Sequence, residues 1–220
     1  MLDQRFGIPP TLIEFTTLHN RDLSAYNVII LANGSPTEPL SPQALPKLKE
    51  WVENGGTLIT TGSAYKLTNK AKITDFKTLS QGKKKEKVEG NAHIEYKPYH
   101  DTSKAKSGIE GVIFNCHLDI TSPLGYGYEN PNVAIMKNGT TVMDFSQIKG
   151  SSPMQYTKQP YLSGCVSLEN IKRISNAPAS IVSGCGKGNV IWFADDLNYR
   201  SYWFGGTKIF MNAIYFGQLY

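Results

Sequence analysis

Ser63 is the residue whose type and position most suggest catalysis. It follows a strand in the sequence Thr-Gly-Ser-Ala, the place where α/β enzymes hold a nucleophile on a sharp turn. A serine nucleophile also needs a histidine base and an acid that orients it. The chain has four histidines, two of them in a lysine-rich segment, and Tyr65 breaks the full Gly-x-Ser-x-Gly pattern. An ordinary strand-to-loop turn is the alternative interpretation.

A second polar group follows the apolar run 190–194. Its members are Asp195, Asp196, Asn198 and Arg200. The pattern places them at the carboxyl edge of a sheet, where open α/β folds bind ligands. Paired carboxylates carry out acid–base chemistry only when they converge on a pocket. The alternative is an ion-paired loop that covers the last helix.

Two weaker candidates involve cysteine and histidine. Cys185 stands between two glycines, but a strand rather than a helix follows it, so we predict a hairpin turn instead of a nucleophile or a phosphate loop. His117 and Asp119 project to one side of a strand and could hold a metal. No third ligand lies near them in sequence, which favours a polar edge. The three cysteines show no C-x-x-C spacing, which argues against a structural zinc site.

The elements that must position these residues indicate an α/β protein with antiparallel additions. The run 27–32, a helix that begins at Ser41-Pro42, and the run 57–61 form a βαβ unit. Its first strand reads as buried on both faces. Hairpins are predicted around Asn138-Gly139 and around 184–188. Further strands are predicted at 11–17, 111–119 and 161–167, and helices over the first residues up to a Gly7 cap and over 203–216.

Domain organisation is predicted to be simple. With 220 residues, 40% of them hydrophobic and 19% charged, the chain fits one domain (1–220) with a polar insertion at 66–107 that has little core of its own. The insertion holds eleven lysines, five acidic residues and no arginine, so it accounts for the net charge of +5. We interpret it as a solvated segment, not a nucleic-acid site. No apolar run is long enough for membrane insertion, and no signal peptide is visible.

Five segments together resemble a known family. They are 22–31, 48–59, 111–114, 122–127 and, most specifically, 186–205 (GKGNVIWFADDLNYRSYWFG). The chain resembles the class I glutamine amidotransferase-like domain at the C-terminus of large secreted zinc carboxypeptidases of the M14 type in Bacteroidetes-like bacteria. The resemblance covers most of the chain, except the lysine-rich insertion.

The resemblance implies a flavodoxin-like three-layer sandwich, with departures at the catalytic positions. Where the family has a cysteine nucleophile, the equivalent turn carries Ser63. Where the family has Phe-His-Pro-Glu, Phe193 is followed by Ala194, Asp195 and Asp196. His93-Ile-Glu95 lies in the insertion instead. The implied function is a non-catalytic accessory domain of a larger zinc carboxypeptidase that serves packing or ligand binding; the alternative is an active hydrolase or amidotransferase with Ser63 as nucleophile.

The same resemblance implies the surroundings of the domain. The partner is the parent's peptidase domain, which would also hold the only zinc, and the location is periplasmic or extracellular. No cofactor is expected in this chain. The first strand of the fold is expected upstream of Met1, pairing near residues 12–17. Arg200 is expected to close the degenerate cleft by pairing with Asp195 or Asp196, helped by Trp203 and neighbouring tyrosines; Ser63, Asp195, Asn198, Arg200 and Trp203 are the candidate ligand or interaction residues.

Overall fold

A computed structural model describes residues 1–34, 41–79, 107–144 and 150–220. Most of its strands form one seven-stranded mixed sheet. In chain order the strands are β1 (Val28–Leu31), β2 (Thr57–Thr61), β3 (Lys77–Thr78), β4 (Val112–Leu118), β5 (Asn132–Lys137), β6 (Met143–Asp144), β7 (Ser151–Ser163), β8 (Pro178–Cys185) and β9 (Gly188–Phe193). The helices are α1 (Leu2–Phe6), α2 (Ala44–Glu53), α3 (Tyr65–Lys70), α4 (Leu168–Ile174) and α5 (Thr207–Phe216).

The order of the large sheet is β1-β2-β9-β8-β7-β4-β5. The first three strands are parallel neighbours, and each later pair is antiparallel. The predicted βαβ unit is confirmed as β1-α2-β2, and the predicted hairpin at 184–188 is confirmed as β8-β9. The α/β class with antiparallel additions is therefore confirmed.

Two apolar clusters lie on opposite faces of the sheet. One joins Ile59, Phe193 and β4 to Ile209, Phe210 and Ala213 of α5. The other joins Leu58 and Trp192 to the buried faces of α2 and α3. Because alternate residues of β2 and β9 supply the two clusters, the chain forms three layers with the sheet in the middle.

The N-terminal region differs from the sequence predictions. Gly7 caps α1 in the left-handed conformation (φ 64°), as predicted. Residues 11–17 form no strand, and a 3-10 helix spans Phe15–Asn20 instead. The amide and hydroxyl of Thr17 both donate to the Glu14 carbonyl oxygen, so local bonds replace a strand ladder. Within the described ranges, no strand pairs with the outer edge of β1, and an upstream partner strand stays a prediction.

Burial and capping in the first βαβ unit also differ. β1 was predicted to be buried on both faces, but it is an edge strand with three half-buried residues. α2 begins at Ala44 rather than at Ser41. The Ser41 hydroxyl donates to the side chain of Gln43 at 2.7 Å and so does not cap the helix.

The insertion at 66–107 was predicted to have little core of its own. For its first part this is wrong, because α3 and the turn after it bury Leu67, Ala71, Ile73 and Phe76. The Phe76 ring stacks on Trp192 with centroids 5.0 Å apart. The centre of the lysine-rich segment, residues 80–106, lies outside the described residues.

Three further differences lie in the second half of the chain. The predicted hairpin at Asn138-Gly139 is wrong, because β5 pairs with β4 and β6 pairs with β3 in a separate two-stranded sheet. The strand predicted to reach residue 167 ends at 163, and Ser167 instead caps α4 by accepting from the amide of Asn170. The last helix begins at Thr207, four residues late, since Gly205-Gly206 precedes it.

Candidate functional site

The carboxyl ends of the parallel strands bring the main candidates to one edge of the sheet. Ser63 follows β2, and Asp195 follows its parallel neighbour β9, with Thr61 beside Phe193 in register. Asn33 follows β1 at the same edge. The shared edge predicted for Ser63 and the 194–196 loop is confirmed. Because α3 after β2 and α5 after β9 contribute to opposite apolar clusters, this edge is also a topological switch point.

The strained residue of the turn after β2 is Gly62, and Ser63 is the residue that follows it. Gly62 has a left-handed backbone (φ 53°), which costs little only for glycine. A Cβ at this position would collide with the side-chain amide of Asn33. The strained position of this turn therefore carries no side chain, and Ser63 lies one residue beyond it.

Ser63 is held by the loop after β1. Its amide and its hydroxyl approach Asn33 Oδ1 at 2.9 Å and 3.0 Å, and the hydroxyl lies 3.4 Å from the Gly34 carbonyl oxygen. Both neighbours are acceptors, so the single hydroxyl proton is engaged by a neutral oxygen. No hydrogen bond joins Ser63 to His19 or His117; His93 and His100 lie outside the described residues.

Asp195 belongs to a buried polar triad with Lys137 and Tyr156. The Lys137 Nζ lies 2.7 Å from Asp195 Oδ1, and their side chains are 0% and 2% exposed. The same ammonium donates to the Thr141 carbonyl oxygen at 2.7 Å and to the Tyr156 hydroxyl at 3.3 Å. The Tyr156 hydroxyl in turn donates to Asp195 Oδ2. Each oxygen of the carboxylate thus has a partner, as a buried charge requires.

Burial and the Asp195 carboxylate together raise the pKa of two groups at the triad, Tyr156 and Cys116. Burial raises the pKa of the Tyr156 phenol well above its ordinary value, and the Asp195 carboxylate raises it further. Burial likewise raises the pKa of the Cys116 thiol, again with a contribution from Asp195. Both groups are therefore kept in their protonated forms, and Cys116 is no candidate for a thiolate nucleophile.

The predicted pairing of Arg200 with Asp195 or Asp196 is wrong. Arg200 is exposed, and its guanidinium lies over the Tyr199 ring, 5.3 Å from the centroid. The Asp195 carboxylate already forms an ion pair with the Lys137 ammonium. Arg200 and Ser201 both adopt left-handed backbone conformations (φ 50° and 57°), which bend the loop at this point.

Asp196 and Asn198 lie half-buried beside the triad. Burial raises the pKa of the Asp196 carboxyl, and the nearby Asp195 charge raises it as well, against a hydrogen bond from the Asn198 amide. The Asn198 Oδ1 atom is buried without a hydrogen-bond partner in the described part of the chain. Ala194 is buried, and its amide donates to the Ala179 carbonyl oxygen. It offers only a methyl group at the position where the resembled family carries a histidine.

Trp203 covers the outer edge of β5. Its indole nitrogen donates to the Ala134 carbonyl oxygen at 3.1 Å, and Gly205 lies close against the same oxygen. The neighbouring Tyr202 hydroxyl lies 2.9 Å from the Met136 sulfur. A free strand edge invites pairing with other chains. Trp203, predicted as an interaction residue, therefore covers one backbone carbonyl of this edge.

The weaker candidates take ordinary structural positions. The Asp119 carboxylate accepts from the amide and hydroxyl of Thr121, which lowers its pKa. His117 is exposed on β4, and no group of three potential metal ligands occurs in the described ranges. Cys185 lies in the β8-β9 hairpin, where burial raises the pKa of its thiol. The described helices include none that is long and apolar enough to cross a membrane.

The sequence did not indicate Lys137 and Tyr156, the two buried residues that bind the Asp195 carboxylate. Lys137 ends the apolar run of β5 and reads as the polar start of a turn. Tyr156 lies in the alternating strand β7, more than thirty residues from Asp195. A lysine at an inward position of an apolar strand is the one signal that could have indicated a buried partner.

Comparison with known proteins identifies the fold through structure alone. No protein-family model matches the sequence, and no curated protein is significantly similar to it. A cytoplasmic protein from Salmonella typhimurium superimposes with a TM-score of 0.54 at 15% identity, covering 97% of this chain and 82% of that one. A putative ThuA-like protein from Bacteroides uniformis gives 0.52 at 14%, covering 96% and 78%. Another from Parabacteroides merdae gives 0.50 at 12%, covering 86% and 70%.

The chain has a ThuA-like fold. ThuA-like proteins have a class I glutamine amidotransferase-like fold, so the flavodoxin-like architecture implied by the sequence resemblance is confirmed. At 12–15% identity the likeness is one of fold. The ThuA-like comparison carries no link to a carboxypeptidase.

Proposed function

We propose that this chain is a non-catalytic amidotransferase-like domain that serves by packing against a partner or binding a ligand for it. The observation that carries the proposal is Gly62 at the turn after β2, with the Asn33 amide over it. The fold would project a nucleophile from this turn. A glycine there offers no reacting atom, and the covering amide leaves no room for a larger residue.

The acid–base side of the site supports the same conclusion. Ala194 has no titratable group, and Asp195 is held by Lys137 and Tyr156. A general base must lie within hydrogen-bond reach of the proton it takes. Ser63 instead donates to Asn33 or Gly34, neither of which can remove its proton.

The host that we propose is a secreted zinc carboxypeptidase of the M14 type, with this domain in the periplasm or outside the cell. The support is the set of segments that resemble the family, above all 186–205. The zinc would belong to the peptidase domain, which would be the partner. An immunoblot of the native protein with an antibody against this chain tests the host: a band far above 24.4 kDa that also carries peptidase peptides is expected.

Turnover assays test the absence of catalysis. The purified chain is expected to release neither ammonia from glutamine nor p-nitrophenol from p-nitrophenyl acetate above the rate of a Ser63→Ala variant. Ser151→Ala, which changes an exposed serine at the start of β7, is the matched control. Turnover that Ser63→Ala abolishes and Ser151→Ala keeps would establish the alternative, an active hydrolase or amidotransferase with Ser63 as nucleophile. The half-exposed position of Ser63 at the sheet edge is the observation that favours this alternative.

A further inference from the structure

A groove between α1 and α5 has no part in the degenerate site. It has a volume of about 490 Å³. The residues that form its walls and rim include Arg5, Phe6, Phe204, Lys208, Met211 and Tyr215. Phe204 and Tyr215 are 58% and 53% exposed. Large apolar side chains gathered on a surface in this way are typical of interaction sites.

Two cations border this apolar groove. The Arg5 guanidinium lies 4.1 Å from the centroid of the Phe204 ring and 5.5 Å from that of Phe6. Stacking uses the face of a guanidinium and leaves its N–H groups in the plane free to bind a carboxylate. Lys208 donates to the Gly127 carbonyl oxygen and lies near the Tyr128 ring. Neither cation forms an ion pair with a carboxylate of the described residues.

The apolar surface continues beyond the groove. The rings of Tyr215 and Phe216 lie 6.5 Å apart, and Phe216 meets Tyr126 edge-on at 5.5 Å. All three rings are at least one-third exposed. Because Tyr215 belongs to both, the groove and this row of rings form one continuous surface. Aromatic residues and arginine are also the types enriched at the centres of protein interfaces.

We propose that the groove and its row of rings dock a segment of a partner protein in which a carboxylate stands next to apolar side chains. The carboxylate would bind Arg5 and Lys208, and the apolar side chains would lie against Phe204 and Met211. An anionic membrane surface is the other occupant with this chemistry, but polybasic recognition of lipid uses four to eight cations, and the groove has two. The inference names the surface used by the partner-binding part of the proposed function and is independent of the absence of catalysis.

A random twelve-residue peptide library displayed on phage and panned against the immobilised chain tests the proposal. Enriched peptides are expected to carry Asp or Glu beside Phe, Leu or Trp. The affinity of the best peptide, measured by fluorescence anisotropy, is expected to fall at least tenfold when its acidic residue becomes the amide. Enrichment of basic peptides, or no enrichment at all, would contradict the proposal.

Variants of the chain locate the binding. Arg5→Met and Phe204→Leu are expected to weaken the best peptide at least tenfold, while Arg5→Lys weakens it less, because lysine keeps the charge but not the planar fork. Lys66→Met, which removes an exposed cation of α3, is the matched control and is expected to have no effect. Near-UV circular dichroism confirms that each variant is folded. If Arg5→Met leaves the affinity of the peptide unchanged, the peptide binds elsewhere and the proposal is contradicted.

Two further measurements decide between occupants. Phenylacetate and hexanoate are titrated into the labelled protein and followed by NMR; saturation below 1 mM at the groove would identify a free carboxylate ligand and overturn the peptide proposal. Vesicles of phosphatidylcholine with phosphatidylserine are sedimented with the chain; binding lost in Arg5→Met would identify a membrane instead. Under the proposal neither the small acids nor the vesicles bind. A failure here leaves the turnover assays unaffected, so the two proposals are distinguishable.

Discussion

The two polar groups at the carboxyl edge of the sheet differ chiefly in burial. Ser63 and Asn33 lie on the surface side, joined by neutral hydrogen bonds. Lys137, Asp195 and Tyr156 lie beneath it and are buried, and the first two form an ion pair. Water can replace the bonds of the first group at little cost. The second group has no such replacement, so this edge of the sheet is expected to owe its stability to the buried triad and not to the residue that looks catalytic.

The largest expected effect is the loss of one buried charge. Lys137→Ala leaves the Asp195 carboxylate buried and unpaired, which we expect to lower the free energy of unfolding by roughly 3–5 kcal/mol. Thermal unfolding followed by circular dichroism should show a Tm lower by roughly 10 °C. Lys187→Ala, at an exposed hairpin lysine, is the control and should change little. A double variant, Lys137→Met with Asp195→Leu, should lose less than Lys137→Ala, because it removes both charges together.

A smaller loss is expected from Tyr156→Phe. The change removes only the hydroxyl, which leaves one oxygen of Asp195 without its donor. An unsatisfied buried acceptor costs about 1–3 kcal/mol. Urea unfolding should therefore show a lower midpoint with an unchanged slope. An unchanged midpoint would mean that the hydroxyl contributes nothing to holding Asp195.

The surface group should tolerate substitution. Ser63→Ala removes a half-exposed hydroxyl whose acceptors remain open to water, and we expect a change within about 0.5 kcal/mol. Arg200→Ala, which the sequence alone predicts to be clearly destabilising, should be equally mild because Arg200 lies over Tyr199 and not on a carboxylate. A decrease of several kcal/mol in the free energy of unfolding of Arg200→Ala, measured by urea unfolding, would instead support an ion pair between Arg200 and a carboxylate.

The smallest expected effect is a pH-dependent increase in Tm, opposite in sign to the losses above. The pKa of Asp196 is raised in the folded protein, mainly by burial, so its contribution to stability is present below the unfolded pKa and is lost as pH rises through the folded value. Asp196→Asn should therefore raise the Tm at pH 7, by no more than about 2 °C, and the gain should shrink toward pH 4. In Asp119 the pKa is lowered by Thr121, so Asp119→Asn should instead lower the Tm at pH 7. If the two variants change the Tm in the same direction at pH 7, the opposite pKa shifts given to Asp196 and Asp119 are contradicted.

The parallel part of the fold could be predicted because its signals are local. The runs 27–32 and 57–61, with an amphipathic helix and Asn54-Gly55 between them, define a βαβ unit without help from distant residues. The hairpin around Gly186 is local in the same way. The edge position of β1 is not, because nothing in Val-Ile-Ile-Leu tells whether another strand lies beside it.

The location of the site at the sheet edge could be predicted from the sequence, but the hydrogen bonds and ion pairs within it could not. Strand ends placed Ser63 and Asp195 together, which needs only the rule for parallel strands. The sequence alone does not identify the partner of Asp195. Arg200, the nearest cation in sequence, was the wrong choice, because Lys137 of β5 forms the ion pair with Asp195. At Asn138-Gly139 a strong turn signal was present, yet β6 found its partner in β3. Long-range pairing decides such cases, and one sequence does not record it.

The indole of Trp203 obstructs one side of the large sheet, because it occupies an outward carbonyl of β5 that another strand would need. A sheet that is open on both sides can add copies of itself indefinitely and grow into a fibre. Here, within the described ranges, no strand pairs with the outer edge of β1, whereas Trp203 occupies the Ala134 carbonyl oxygen on the outer edge of β5. Edge pairing between two copies is therefore expected to be easier at β1, where two strands can join about a twofold axis, than at the partly obstructed β5.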